Sequence, residues 1–162
     1  MIQVKDVVKS FDGNVVLDHI SANFEEGKVN MIIGQSGSGK TVLMKSMIGL
    51  HPINSGEIIF DTRNGQQNLA AMSEKEVRML HREVGMLFQG SALFDSMTVQ
   101  ENVMFPLEMF SQMSKEEMVE RARFCLSRVD MPERAYSLMP SEISGGMQKR
   151  VAIARAMALN PR

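Results

Sequence analysis

Gly34-Gln35-Ser36-Gly37-Ser38-Gly39-Lys40-Thr41 is the stretch on which the fold turns. It carries Gly-x-x-x-x-Gly-Lys-Thr, the spacing of a phosphate-cradling loop. Glycines let the backbone curl tightly, so that successive N–H groups can point inward at phosphate oxygens. A helix opening near Gly39 would aim its positive end at the same anion. Lys40 supplies a mobile charge for β- and γ-phosphates. The Thr41 hydroxyl suits Mg²⁺, which prefers oxygen ligands. Val42 carries the chain from the cradle into the helix. The flanks agree with this assignment. Val29-Asn30-Met31-Ile32-Ile33 is a short, apolar, β-branched run and predicts a buried strand. Val42 to Leu50 has apolar residues on most faces and predicts a buried helix. Strand, glycine loop and helix together predict an α/β fold that binds the phosphates of ATP.

Outward from the loop, residues 2–8 alternate apolar and polar and predict a strand. Asp12-Gly13-Asn14 predicts a turn. Val15 to Leu17 and Ile20 to Phe24 predict a second strand, and Glu57 to Phe60 another. Residues 61–68 are polar and loop-like. Val84 to Phe88 predicts a strand. Ser73-Glu74-Lys75-Glu76, Thr98-Val99-Gln100-Glu101 and Ser114-Lys115-Glu116-Glu117 have the hydroxyl-and-acid spacing that opens a helix. The second of these helices is expected to kink or end at Pro106. A last helix is expected over 145–159, stopped before Pro161. Strands thus dominate the first ninety residues, with a mostly helical block from about 98 to 140.

The 162 residues suffice for one domain with a core. The net charge of −1 gives no electrostatic reason to expect a nucleic-acid partner. The single cysteine, Cys125, excludes an internal disulfide and a multi-cysteine metal site. No apolar run approaches the roughly 20 residues needed to span a bilayer, so no direct membrane insertion is expected. The N-terminus lacks the pattern of a secretory signal. The sixteen methionines read as flexible core filler.

Two later segments narrow the family. Ser141-Glu142-Ile143-Ser144-Gly145-Gly146-Met147-Gln148-Lys149-Arg150-Val151-Ala152-Ile153-Ala154-Arg155-Ala156 resembles the signature segment of ABC ATPases. Val84-Gly85-Met86-Leu87-Phe88-Gln89 resembles their Q-loop strand and glutamine. With the phosphate loop, three motifs stand in that family's order. The resemblance implies a nucleotide-binding domain with an N-terminal antiparallel β region and a helical subdomain. It divides the chain into 1–88 (β region and phosphate-loop core), 89–143 (Q-loop and helical subdomain) and 144–162 (signature and following helix).

It also implies roles. Two copies would close head to tail around ATP, so that Ser144, Gly145 and Gly146 of one reach the γ-phosphate held by Lys40 of the other. Phe11 would stack on adenine, with Val16 beside it. Gln89 would reach Mg²⁺ and the attacking water. Residues 90 to about 107 would receive a helix of a transmembrane permease, with Leu93, Phe94, Met97 and Val103 to Phe105 offering apolar surface.

ABC signatures usually carry glutamine where Met147 stands. That departure, together with residues 85–99, resembles the Mla/Mkl-type ATPases that serve phospholipid transporters. Those pair with an MlaE-like permease and an MCE protein and work at the cytoplasmic face of the inner membrane. An importer ATPase for a small polar solute and a soluble ABC ATPase outside transport are the alternatives. The family's next strand would carry the Mg²⁺ aspartate and catalytic glutamate, and its switch histidine lies further on. His19, His51 and His81 precede the signature and match none of them. The 162 residues alone are therefore expected to bind ATP weakly without appreciable turnover.

Overall fold

The computed structural model describes residues 1–62, 65–88 and 90–161. It contains two compact units, Met1–His81 and Arg82–Arg162.

The first unit is built on a four-stranded antiparallel sheet. Its strands are β1 (Ile2–Phe11), β2 (Asn14–Phe24), β3 (Ser55–Thr62) and β4 (Gly65–Asn68), in the spatial order β2-β1-β3-β4. A two-residue turn at Asp12-Gly13 joins β1 to β2, whose register runs from Ile2 opposite Phe24 to Phe11 opposite Asn14. The period-two pattern places Val4 and Val7 of β1 inward, with Leu17, Ile58 and Phe60 also buried. The first helix, α1 (Lys40–Met47), buries Leu43, Ser46 and Met47. Beyond it, α2 (Glu74–His81) buries Leu80, and its terminal His81 ring nitrogen bonds the Ile48 carbonyl at 2.6 Å.

Helices build the second unit: α3 (Val99–Phe110), α4 (Lys115–Arg128) and α5 (Gly145–Met157). Val99, Val103, Met104, Leu107, Ala122, Leu126 and Val151 lie in one apolar cluster. The three predicted helix starts close as read. Ser73, Thr98 and Ser114 each accept from the N–H three residues on, and Glu76, Glu101 and Glu117 each reach back to the hydroxyl residue's N–H. Those bonds favour the ionised acid and hold Glu101 below the usual carboxylate range, through the Thr98 N–H first and then its hydroxyl. Asn102 is fully buried, and its amide accepts from the Phe94 N–H and donates to the carbonyls of Phe94, Met97 and Thr98. Arg121 of α4 donates to the carbonyls of Met157 and Ala158, covering the end of α5. Cys125 is buried in the cluster, and burial pushes its thiol up, away from reactivity.

Several expectations need correction. Residues 29–33 are not in a strand, and Val29, Met31 and Ile33 are 94%, 76% and 83% exposed. Residues 84–88 are likewise irregular, with Leu87 and Phe88 exposed. A parallel strand exists only through its neighbours, and no ladder among the described residues reaches either run. Within the stretch read as a polar loop, Gly65–Asn68 forms β4. An edge strand has one neighbour and open solvent, so polar side chains do not forbid it. Pro106 does not end α3, which continues to Phe110. A proline removes one donor and the helix tolerates that loss here. Finally, α1 ends at Met47 and α5 at Met157, short of Leu50 and Leu159.

Candidate functional site

The phosphate loop lies in the first unit and the signature segment in the second. In the loop, the Ser38 N–H closes a turn onto the Gln35 carbonyl at 3.3 Å. Gly39 precedes α1 with φ of 86°, and a Cβ there would stand 3.0 Å from the Val16 carbonyl oxygen and 3.2 Å from Leu17. Glycine is thus demanded twice, by conformation and by the close pass over β2. At Gly34 a Cβ would meet the Ser38 hydroxyl oxygen at 2.7 Å. The Lys40 ammonium folds back over the loop and donates to the carbonyls of Gly34 at 2.8 Å and Gln35 at 2.6 Å. That places a cation beside the exposed run 34–38. Thr41 is exposed in the first turn of α1, Val42 is half-buried, and no acidic residue occupies that turn. The N–H groups of a helix's first turn lack intrahelical acceptors. An anion meets donors and a lysine there, with no competing carboxylate.

Phe11 ends β1 half-open to solvent. The Lys9 ammonium lies 4.7 Å from its ring centroid, and the His51 ring meets it edge-on at 5.5 Å. The exposed aromatic ring is therefore already held by two neighbours. Val16 is half-buried, and its carbonyl backs Gly39. The structure thus brings Phe11, Val16 and residues 34–42 into one unit.

In the signature segment, Ser144 caps α5, its hydroxyl accepting from the Met147 N–H at 3.3 Å. Gly145 and Gly146 follow, both exposed. A Cβ on Gly145 would meet nothing within 4 Å, and one on Gly146 only the Ser144 hydroxyl at 4.0 Å. Neither glycine is in the left-handed region. Neither is demanded by the chain's own packing. Neighbouring Glu142 is engaged elsewhere, accepting from the Met139 N–H at 2.7 Å. Met147, read as a branch marker, is half-buried against the helical core. A depression of about 470 Å³ borders this segment, lined in part by Arg134, Leu138, Ser144, Gly146 and Arg150. Gln89 lies outside the described residues. Leu93 and Met97 are half-buried, Phe94 is exposed with its ring 4.6 Å from that of Phe105, and Val103 and Met104 are buried in the core. Of the apolar surface expected over 90–107, Val103 and Met104 are therefore internal packing.

Two residues were missed by the motif reading. Asn102 follows the second capping box directly, and a buried amide there secures the segment before α3. Arg155 was quoted only as part of the signature stretch. Its half-buried guanidinium donates to the carbonyls of Ser91 at 2.9 Å and Ala92 at 2.8 Å.

The sequence model of the ABC transporter family matches residues 17–162. The glutamine transport ATP-binding protein GlnQ of Escherichia coli (strain K12) is 42% identical over 163 residues, which cover 100% of this chain and 65% of that protein. The methionine import ATP-binding protein MetN of Clostridium acetobutylicum is 37% identical over 162 residues, covering 100% of this chain and 49% of that protein. The chain thus spans about half to two thirds of the length of these curated relatives. Among solved structures, the dimeric structure of MJ0796, a bacterial ABC transporter cassette, superimposes with a TM-score of 0.88 at 34% identity, over 99% of this chain and 71% of that one. A dimeric post-hydrolysis state of the same cassette bound to ADP and Pi matches with the same TM-score at 33% identity.

Proposed function

Since this chain belongs to the ABC transporter family, with the α/β nucleotide-binding domain fold of its ATPases, we propose that the full-length protein is a transporter's ATP-hydrolysing subunit, working as a head-to-tail homodimer. In this reading Gly34 to Val42 hold the triphosphate and Phe11 and Val16 the adenine. Ser144, Gly145 and Gly146 of the second copy reach the γ-phosphate. Thr41 and Gln89 would hold Mg²⁺, which would spread the charge of the β- and γ-phosphates. Lys40 exchanges its two loop carbonyls for phosphate oxygens, trading neutral acceptors for charged ones. The observation that carries the proposal is this ammonium, held over an exposed glycine loop at a helix start free of acids. The functional division at 1–88, 89–143 and 144–162 belongs to the same reading.

For cargo, Met147 and residues 85–99 favour phospholipid, with an MlaE-like permease, an MCE protein and a place on the cytoplasmic face of the inner membrane. No helix among the described residues is long and apolar enough to cross a membrane; in this reading the protein reaches the membrane by docking on the permease. A second reading, an importer ATPase for a small polar solute, is favoured by the named roles of GlnQ and MetN.

Phosphate release by the full-length protein tests the enzyme reading. Lys40→Ala is expected to lower turnover by at least about 100-fold, and unchanged turnover overturns it. Reconstitution with the permease that co-purifies in detergent separates the cargoes. ATP-dependent movement of a fluorescent phospholipid between vesicles supports the first, and ATP-dependent uptake of an amino acid the second. Co-sedimentation with ribosomes or DNA instead of a permease removes both.

A further inference from the structure

On both sides of Gln89 the chain meets the last turns of α5 and the residues just after it, by close approach before and by hydrogen bonds after. Before it, Gly85 passes so close to α5 that a Cβ would stand 2.7 Å from the Ala156 carbonyl oxygen and 3.1 Å from Pro161. After it, the guanidinium of Arg155, the residue preceding Ala156, donates to the carbonyls of Ser91 and Ala92 and lies 5.7 Å from the centroid of the Phe94 ring. The backbone at 91–92 is costly. Gly90, Ser91 and Ala92 have φ of 83°, 68° and 47°, and the Ala92 N–H bonds the Gly90 carbonyl at 2.8 Å to close a three-residue turn. Left-handed conformations at Ser and Ala persist only where surrounding contacts hold them. Three contacts meet it: the Ser91 N–H bonds the Phe88 carbonyl at 3.2 Å, Arg155 reaches the carbonyls of Ser91 and Ala92, and Asn102 grips Phe94 from α3.

We propose that Arg155 is a positioning residue that clasps the turn at 90–92 to α5, so that the helix opened by Ser144-Gly145-Gly146 and the segment flanking Gln89 move as one body. The inference rests on the reading of those residues given above. α5 presents its first turn for a partner's phosphate and, two to three turns on, holds Ser91, Ala92 and Phe94. Displacement of α5 as a second copy closes would carry this segment with it. A guanidinium suits the task because its planar fork reaches two carbonyls at once, which an ammonium on a flexible stem does less well.

The test uses the full-length protein with Arg155→Met, Arg155→Lys and, loosening the opposite end, Gly85→Ala. Arg155→Met is expected to lower kcat about tenfold with KM for ATP held within about twofold. Amide exchange at 91–94 should quicken about tenfold while α3 and α4 keep their protection. Arg155→Lys should recover part of both effects, and Gly85→Ala should reproduce the kcat loss. Unchanged kcat and exchange overturn the clasp. So does a loss expressed in KM, or exchange that quickens throughout the helical core, since either makes Arg155 a ligand-binding or a merely structural residue. Should Arg155→Met fail to fold, the lysine and Gly85 variants decide on the same readouts. If the unaltered protein hydrolyses no ATP, the functional reading fails and the exchange measurement still judges the clasp.

Discussion

Among the described residues, α2, α3 and α4 close their own beginnings, whereas α1 and α5 leave them open. α2, α3 and α4 each start with a hydroxyl residue and a glutamate that bond each other's backbone N–H groups. α1 starts at Gly39-Lys40 with no side-chain cap, and α5 at Ser144-Gly145-Gly146 with a half cap. Neither has an acid in its first turn. Closed starts spend the helix's positive end on the chain's own carboxylates, whereas open ones keep it for an outside anion. The division follows function in the proposed reading. All five bury apolar residues in the core of their own unit, but the three that carry no proposed phosphate contact are closed, and those at the two proposed phosphate half-sites are open. Met147 fits this view, since it occupies the position where a glutamate would complete the α5 cap.

The largest effect is expected where openness and conformation coincide. Gly39→Val places a β-branched residue at φ of 86° against the Val16 carbonyl. It should cost about 3 kcal/mol of stability in denaturant melts and remove ATP binding by calorimetry. Retained binding would break the link between loop geometry and ligand. Next, Met147→Glu should close α5. Turnover of the full-length protein is expected to fall about tenfold or more, while the melting temperature holds or rises. A variant that is less stable and equally active would reverse the comparison. Gly146→Ala sharpens it further. With open space around the added Cβ, the helix should gain up to about 1 kcal/mol while phosphate release declines. Chemical denaturation and ATPase assays on one preparation show both.

The smallest effect concerns a closed start. Glu101 titrates below its ordinary value of 4.5 when folded, so its contribution to α3 is complete above that pH. It is lost as pH falls through the lowered value. Helicity of the Thr98→Ala variant, which lacks the hydroxyl partner, should therefore decline at a higher pH than that of the unaltered protein. Coincident acid transitions in circular dichroism would refute this.

What could be read from the sequence follows the range of the forces involved. Helix starts are decided within four residues, so Thr98 with Glu101 and Ser114 with Glu117 were legible directly. The phosphate loop was legible because its chemistry fixes residue types at fixed spacing. Strands depend on partners distant in sequence. Val29 to Ile33 has the composition of a buried strand and no ladder here, while Gly65 to Asn68 lacks that composition and pairs with β3. Arg155 was hidden for the same reason, because its acceptors lie about sixty residues away and are backbone carbonyls that leave no mark in the sequence. Glycines at 145 and 146 were legible as a motif, and the structure adds that an added Cβ at either has room among the described residues.

The exposed run at 29–33 has a consequence for handling the protein. Valine, methionine and isoleucine side chains stand in solvent on backbone that joins no ladder among the described residues. Such a run is a template on which a second extended chain can nucleate, edge to edge. Glu25, Glu26 and Lys28 lie just before it, with the Lys28 ammonium paired to Glu25 at 2.5 Å, and they act as charged gatekeepers. Removing that short charged prefix is expected to lower the concentration at which a solution of these 162 residues clouds, which light scattering would show.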